Sequence, residues 1–300
     1  MATVPIQVAT FEDPGRSSVS RLLALWHTIR RKPLGAFSAA LLVLIVFTAI
    51  FADVLAPYDP LETHPEIRLS APSWAHPFGT DDIGRDVMSR IIYGSRISLW
   101  VGLLAVGIGT AAGMTIGLLC GYCEGRLDLI TQRFMDAIQA IPALVLALAI
   151  VSVLKPNTTN AMLAIAIVII PGNSRIVRGA VLSAKQNRYV EAAQAIGCRH
   201  PRIIMSHILP NVTAPILVIA SIWLGNAILI EATLSYLGVG TQPPTPSWGL
   251  MLSSTGRAFM EQAPWLAIFP GLAISLAVLG FNLFGDTLRD AWDPKLRRQG

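Results

Sequence analysis

The chain has 300 residues, of which 53% are hydrophobic and only 14% are charged, and its mean hydropathy is +0.57. Because soluble domains carry about a quarter charged residues, this composition excludes an ordinary soluble protein and indicates a polytopic membrane protein. The net charge of +5 does not indicate nucleic-acid binding, since the basic residues are spread between apolar segments rather than gathered on one face.

Apolar runs without charged residues predict the membrane-spanning helices, each of which needs about 20 mostly apolar residues. The fourth run is the weakest because its strongly apolar part ends in Pro171-Gly172-Asn173, so we expect a short or broken helix there. The sequence therefore predicts an all-α polytopic membrane protein with six transmembrane helices. The six runs are Ala36–Ala52, Ile97–Cys123, Ala137–Leu154, Pro156–Ser174, Asn211–Ile230 and Trp265–Gly285.

The distribution of basic residues predicts the orientation of these spans. With six spans, the connections on the side of the two termini carry 17 Lys and Arg residues, and the opposite side carries 6. Cytoplasmic connections are enriched in Lys and Arg, so both termini are predicted to be cytoplasmic. The predicted segments are an N-terminal tail (1–35), the first span (36–56), an external loop (57–96), a five-helix core (97–285) that includes the loop 175–211, and a C-terminal tail (286–300).

Within the N-terminal tail, Ser17–Lys32 is interpreted as a basic stop that orients the first span, because Arg30, Arg31 and Lys32 precede the apolar run. A membrane-surface helix that helps gate a pore is the alternative. The apolar run that follows is longer than a signal-peptide core, so the segment is expected to stay as an anchor.

The first external segment contains a candidate amphipathic helix. Thr80 is a suitable N-cap, and Asp81 and Asp82 would lie at the positive end of the helix dipole. We therefore predict a helix lying on the outer membrane surface. Its apolar face would contain Ile83, Val87, Met88, Ile91 and Ile92. The last external loop is too rich in proline for continuous helix, and Trp248 and Trp265 near it are expected at the membrane interface.

Glycines recur every four residues in the second span, at Gly109, Gly113, Gly117 and Gly121. This spacing places them near one face of a helix, where small residues allow a neighbouring backbone to approach closely in lipid. The stripe predicts tight helix packing rather than a ligand site.

The sequence contains no recognisable energy-coupling site. No Gly-Lys pair occurs, so the nucleotide phosphate-binding loop is absent and any ATP must be bound by another chain. Glu231 is the clearest candidate for ion coupling, but its position 19 residues after Val212 places it about 28 Å along a helix, near the outer interface where it can reach water. Asp286 similarly ends the sixth run and is interpreted as a boundary residue.

Metal, redox and hydrolytic sites are also not indicated. His200 and His207 share a helix face only if a helix continues through Pro201, and no cysteine or carboxylate completes a zinc arrangement. The cysteines at positions 120, 123 and 198 are interpreted as small side chains compatible with a membrane. Neither a GxSxG nor a HExxH motif occurs.

The long polar connection Glu191–Asn211 stands out between two apolar segments. Tyr189–Ile196 contains good helix formers, Gly197 permits a sharp turn, and Pro201 suits the first turn of a second helix. The result is a helix-turn-helix at the inner mouth of the bundle, which is either a docking surface or an ordinary cytoplasmic loop. Six basic residues lie in and before it, at positions 175, 178, 185, 188, 199 and 202.

The connection resembles the EAA signature of permease subunits in bacterial ABC importers. The matching residues are Glu191, Ala192, Ala193, Gly197, Leu209 and Pro210. His207 stands where the general pattern has isoleucine, but the HILPN form is similar to the dipeptide, oligopeptide and nickel branch. Three further stretches resemble the second permease of that branch: Gly79–Leu99, Glu231–Leu252 and Phe281–Pro294.

This resemblance implies a type I importer permease fold in the bacterial cytoplasmic (inner) membrane. It implies four partners: a homologous permease that completes a heterodimer, two cytoplasmic ATPase subunits and an external solute-binding protein. This chain would bind no cofactor, because ATP and Mg belong to the ATPases. The EAA residues would form a coupling helix seated in an ATPase groove.

Two other functions stay open at this point: a self-sufficient ion-coupled transporter, and a membrane enzyme or assembly factor. Within the permease interpretation, the sequence does not separate dipeptide, oligopeptide, glutathione, nickel-chelate and opine cargo, nor does it name the residues that line the pathway.

Overall fold

A computed structural model describes residues 33–253 and 259–292, and these residues are nearly all helical. Ser17–Lys32 lies outside the described residues. The helices are α1 (Pro33–Ile50), α2 (Ala52–Leu55), α3 (Val87–Cys123), α4 (Gly125–Gln139), α5 (Ala143–Leu154), α6 (Thr158–Lys185), α7 (Arg188–Ala195), α8 (His200–Ile203), α9 (Leu209–Tyr236), α10 (Trp248–Met251) and α11 (Trp265–Trp292).

Five helices in the described ranges are long and apolar enough to cross a membrane. They are α1, α3, α6, the continuous helix His200–Tyr236 that contains α8 and α9, and α11. The pair α4 and α5, bent by 89°, makes a sixth span if it is taken as one. The all-α polytopic fold predicted from the sequence is therefore confirmed, with six spans on that basis.

The prediction of a broken fourth span is wrong, because α6 runs without interruption through Pro171. Pro171 is buried among neighbouring helices, which is the setting in which a transmembrane helix tolerates proline. The break lies in the third span instead, where α4 ends at Gln139 and Pro142 precedes α5 in an extended conformation with ψ 132°. Ile141 precedes that proline, and such a residue is disfavoured in the helical region.

The prediction of a separate surface helix starting at Thr80 is also wrong. The Asp81 carboxylate accepts hydrogen bonds from the backbone N–H groups of Ile83 and Arg85 at 3.1 and 2.9 Å, which folds this stretch into a turn. Gly84 has φ +83°, a conformation that favours glycine. The helix begins at Val87 and continues into the second span. Its cap is Asp86, whose carboxylate accepts the Ser89 N–H at 2.7 Å.

Two spans extend past their predicted ends. A π-helical turn, Ile204–Ile208, joins α8 to α9 just before Pro210. Proline has no N–H and its ring clashes with the carbonyl four residues earlier, so a locally widened turn keeps the helix continuous. At the other end of the chain, α11 continues to Trp292. Asp286 is therefore an exposed residue within α11, and its place at the membrane boundary stays a prediction.

Helices α3 and α6 form the centre of the bundle, and the glycine stripe of α3 lies against α6. A Cβ atom added to Gly109 would lie 2.7 Å from the Ala166 carbonyl oxygen, and one added to Gly117 would lie 2.6 Å from that of Ser174. At Gly113 and Gly121 the added atom would lie 2.8 Å from a side-chain carbon of α6. The two backbones thus approach to a distance that only glycine allows.

The external segments fold over the outer end of the bundle. The Trp248 indole N–H donates to the Ile91 carbonyl at 2.9 Å, and that of Trp265 donates to the Thr80 carbonyl at 3.1 Å. Trp248 is buried, so it packs the last external segment against α3 and does not lie at the membrane interface. Arg96 pairs with Asp53 at 2.9 Å, and this hydrogen bond lowers the pKa of the Asp53 carboxyl.

Candidate functional site: the inner loop and its supports

The α7–α8 loop, residues 186–208, connects α6 to α9. Its first helix, α7, begins one residue before the predicted Tyr189–Ile196 helix and ends one residue before that helix would end. The second helix, α8, carries Pro201 in its first turn. Gly197 separates them with φ +78°, and no atom lies within 4 Å of the Cβ it lacks. This glycine is therefore required by the backbone conformation of the turn and not by crowding.

One face of the loop is buried against the inner ends of α3 and α6. Val190 and Ile203 are completely buried, and Ala193 is 4% exposed. They belong to one apolar cluster with Ile208 of the π-helical turn and with residues of α3, α6 and α9: Leu118, Tyr122, Val177, Val181, Ala184, Val212 and Ile216. The loop is consequently a packed part of the bundle, so a force applied to it is transmitted to three spans.

The opposite face of the loop is exposed among the residues that the structure describes. Glu191 and Ala192 are exposed, and Ile196 is 81% exposed although it is a large apolar side chain. Of the two signature alanines, Ala193 points into the bundle and only Ala192 faces outward. Of the other two signature residues, Leu209 is half-buried against the apolar cluster and Pro210 is exposed.

Polar contacts fix the base of the loop to the end of α3. The Lys185 ammonium donates to the Tyr122 carbonyl at 2.9 Å and to the Glu124 carboxylate at 2.8 Å. The Tyr122 hydroxyl lies 2.6 Å from Nδ1 of His200. His200 is therefore engaged with tyrosine. In the described part of the chain, no group of three or more His, Cys, Asp or Glu residues is placed to hold a metal ion.

Acid–base pairs connect α4 to the inner half of α6. The Arg178 guanidinium donates two hydrogen bonds of 2.6 Å to Asp128, which is 8% exposed. Arg175 pairs with Asp136 one turn nearer the outer side. The sequence indicates the two arginines only as orienting charges, yet they hold α4 against the helix that leads into the α7–α8 loop.

Glu231 lies in a buried polar cluster at the outer end of α9, and the expectation that it reaches water is wrong. Its side chain is completely buried, because the chain after α9 folds back over it. The carboxylate accepts hydrogen bonds from Ser98 of α3 at 3.3 Å, from Ser235 at 2.7 Å and from Thr241 at 3.2 Å. Ser247 is a further partner. The cluster joins α3, α9 and the last external loop through one side chain.

Cys120, Cys123 and Cys198 are free thiols, buried, exposed and half-buried respectively.

Taken together, the spans and the packed inner loop define a multi-pass membrane protein of the permease class. The chain belongs to the family of binding-protein-dependent transport system inner membrane components, whose sequence pattern matches residues 113–298. The N-terminal transmembrane domain of oligopeptide transport permease C matches residues 20–72. The predicted family resemblance is therefore confirmed, and the chain is the permease subunit of an ABC importer.

Curated relatives match along nearly the whole chain. It is 44% identical to the dipeptide transport system permease protein DppC of Alkalihalophilus pseudofirmus, over 94% of this chain and 92% of the relative. It is 43% identical to the di/tripeptide transport system permease protein DppC of Pseudomonas aeruginosa, over 96% of this chain and 97% of the relative. It is 44% identical to the glutathione transport system permease protein GsiD of Escherichia coli, over 91% of this chain and 90% of the relative.

A solved structure has the same fold. A chain of the MetNI methionine ABC transporter in an inward-facing conformation aligns with a TM-score of 0.57 and 16% identity, covering 68% of this chain and 97% of that chain.

Proposed function

We propose that this chain forms half of a translocation pathway for dipeptides or closely related short peptides. The observation that supports this is the similarity, at 43–44% identity over at least nine-tenths of both chains, to permeases named for dipeptides, di/tripeptides and glutathione. Glutathione is itself a tripeptide, so the three names share one class of cargo.

The α7–α8 loop is proposed as the coupling element together with the start of α9. Its signature residues are Glu191, Ala192, Ala193 and Gly197 in the loop and Leu209 and Pro210 directly after it. The exposed Ile196 supports this assignment, because a large apolar side chain on a rigid polar loop is suited to a partner's groove. The buried Val190 and Ala193 would transmit a displacement of the loop to α3, α6 and α9.

The proposed assembly contains a second, homologous permease, two cytoplasmic ATPases and an external binding protein in a bacterial cytoplasmic membrane. ATP and Mg are bound by the ATPases, and this chain contributes no cofactor site. Closure of the ATPases moves the α7–α8 loops and alternates the access of the pathway.

The cargo is tested by purifying the binding protein that stimulates the assembled transporter and identifying the ligand it retains by mass spectrometry. Short peptides are the expected ligands. A nickel chelate, an opine or a sugar would contradict the proposed cargo while leaving the permease assignment in place.

Coupling is tested by Gly197→Asp, with Gly238→Asp as the matched control. Both glycines have φ near +80° and open space around the missing Cβ, but Gly238 follows α9 at the outer end of the bundle. The Gly197 variant is expected to insert normally and to lose ATPase co-purification or ATP-coupled uptake, whereas the control keeps both. Full uptake and co-purification in Gly197→Asp would refute the coupling role.

A self-sufficient ion-coupled transporter is the second candidate, because the buried Glu231 is the kind of intramembrane carboxylate that ion coupling uses. Peptide uptake by the purified chain in liposomes, driven by an ion gradient without ATPases, would establish it.

A further inference from the structure

An exposed tryptophan stands on a rigid turn of the external segment. Trp74 is fully exposed. It lies in the turn Ser73–His76, which is closed by a hydrogen bond of 2.9 Å from the Ser73 N–H to the His76 carbonyl. The His76 N–H donates back to the Ser73 hydroxyl at 3.1 Å.

The base of this turn is fastened to the buried start of α3. Nδ1 of His76 lies 3.0 Å from the carboxylate of Asp86, which caps α3 and has 1% of its side chain exposed. The Tyr58 hydroxyl donates to the Ala75 carbonyl at 2.9 Å, and the Tyr58 ring packs against His76 with 4.8 Å between ring centroids. Because these contacts fix the backbone that carries Trp74, a partner that covers the indole ring has to order only the side-chain torsions of that residue.

An acidic hollow borders the same turn. A cavity of about 230 Å³ is lined by Tyr58, Asp59, Glu62, His64 and His76 among others. Residues 57–76 carry three acidic residues, Asp59, Glu62 and Glu66, against one basic residue, Arg68. The exposed carboxylates of Asp59 and Glu62 line the hollow, and Glu66 lies next to it, with a carboxylate oxygen 3.1 Å from Nδ1 of His64. The hollow and its edge therefore carry more acidic than basic side chains.

We propose that Trp74 and this hollow are the docking surface for the external binding protein. The partner presents an apolar pocket that takes the indole ring and, beside it, a lysine or arginine that enters the hollow. A lipid surface fits less well, because anionic headgroups are repelled by the carboxylates. This inference rests on the proposed function, since it requires an importer that depends on a binding protein.

The test uses the complete transporter in nanodiscs. The probe is the purified binding protein that stimulates ATP hydrolysis by the wild-type complex, loaded with a dipeptide and titrated over a wide concentration range. Trp74→Ala is expected to raise the half-saturating concentration of binding protein at least about tenfold, with the rate at saturation retained, because truncating a central aromatic anchor weakens binding by that much or more.

Three further variants sharpen the result. Trp74→Phe keeps an aromatic ring and should give an intermediate shift. Glu62→Lys should also raise the half-saturating concentration, and added salt should weaken wild-type docking by screening the same charges. Trp100→Ala is the matched control, since Trp100 is 61% exposed but lies within the α3 span, and it should match the wild type.

A Trp74→Ala complex that titrates like the wild type would overturn the inference. Loss of the second permease on purification of that variant would overturn it as well, by assigning Trp74 to the interface between permeases. A wild-type complex that no binding protein stimulates would contradict the proposed function itself, and the docking surface with it.

Discussion

Glu231 shows how a single side chain can join distant parts of this chain. Its carboxylate accepts hydrogen bonds from hydroxyls of α3, α9 and the last external loop, and none of these groups reaches water. Replacing it with alanine leaves the hydroxyls without their acceptor, at a cost of about 1–3 kcal/mol for each group left unsatisfied. We expect Glu231→Ala to lower the melting temperature of the detergent-purified protein clearly more than Glu231→Gln, which retains an acceptor oxygen.

The control for that measurement is Glu261→Ala, because Glu261 is exposed. Equal melting temperatures for Glu231→Ala and Glu261→Ala would contradict the structural role of the cluster.

The glycine stripe gives a second prediction for individual residues. Gly117→Ala places a Cβ atom 2.6 Å from the Ser174 carbonyl oxygen, so the α3 and α6 backbones must move apart. Overpacking of this kind costs roughly 1–3 kcal/mol. Gly107→Ala, on the same helix with nothing within 4 Å, should be neutral or slightly stabilising. Thermal denaturation followed by size-exclusion chromatography compares the two, and similar curves would refute the close approach.

These residues also differ in how well the sequence predicts them. The stripe is visible from spacing alone, because its four members lie on one helix. The surroundings of Glu231 are not, since Ser98 is 133 positions away and Thr241 lies beyond the end of α9. Among the partners of Glu231, Ser235 alone can be anticipated from the sequence, because it lies one helical turn after Glu231 on α9.

Among the structural elements, the α7–α8 loop carries the clearest functional prediction. Ile196→Ala removes an exposed apolar side chain and no internal contact of the buried face, so folding should be unchanged. We expect it to reduce the amount of ATPase that co-purifies with the permease by about tenfold or more, which is the typical effect of losing an interface anchor. Ile83→Ala is the matched control, because Ile83 is 41% exposed on the external segment. Undiminished co-purification in Ile196→Ala would exclude Ile196 as an anchor.

The positions of the helices are predictable from the sequence where no tertiary contact or side-chain hydrogen bond overrides the local turn and cap residues. The helix, glycine turn and second helix of the α7–α8 loop follow from Gly197 and Pro201. Two prolines have different structural outcomes, because Pro171 lies inside a helix supported by its neighbours, whereas Pro142 marks the break in the third span. Thr80 failed as a cap because the Asp81 side chain bonds its own backbone and Gly84 turns the chain, leaving Asp86 to begin α3.

For the whole molecule, the charge count predicts which side each segment faces. In a variant without the native cysteines, a cysteine introduced at Ser73 should react with an impermeant thiol reagent from outside the cell. A cysteine at Gln194 should react only after the membrane is opened, because both sites are exposed but lie at opposite ends of the bundle. Labelling of both positions from the same side would refute the six-span topology.

The fold class is the property that the sequence predicts best, because composition and apolar runs report on the membrane directly. The family follows from motifs that match in several separate stretches. The cap over the outer end of the bundle was not predictable, since Trp248 and Trp265 bond the backbone of segments more than 150 positions away. That cap and the inner loop are the surfaces that we propose for the binding protein and the ATPases, respectively.

The central claim is that this chain is a permease subunit of a transporter whose ATP is hydrolysed by other subunits. Reconstitution in proteoliposomes tests this claim most directly. The purified permease pair is reconstituted with dipeptide-loaded binding protein, with and without the ATPase subunits, and uptake of labelled dipeptide is measured. We expect uptake only when the ATPases and MgATP are present, with no response to an ion gradient. Uptake by the permease alone, driven by an ion gradient, would contradict the account.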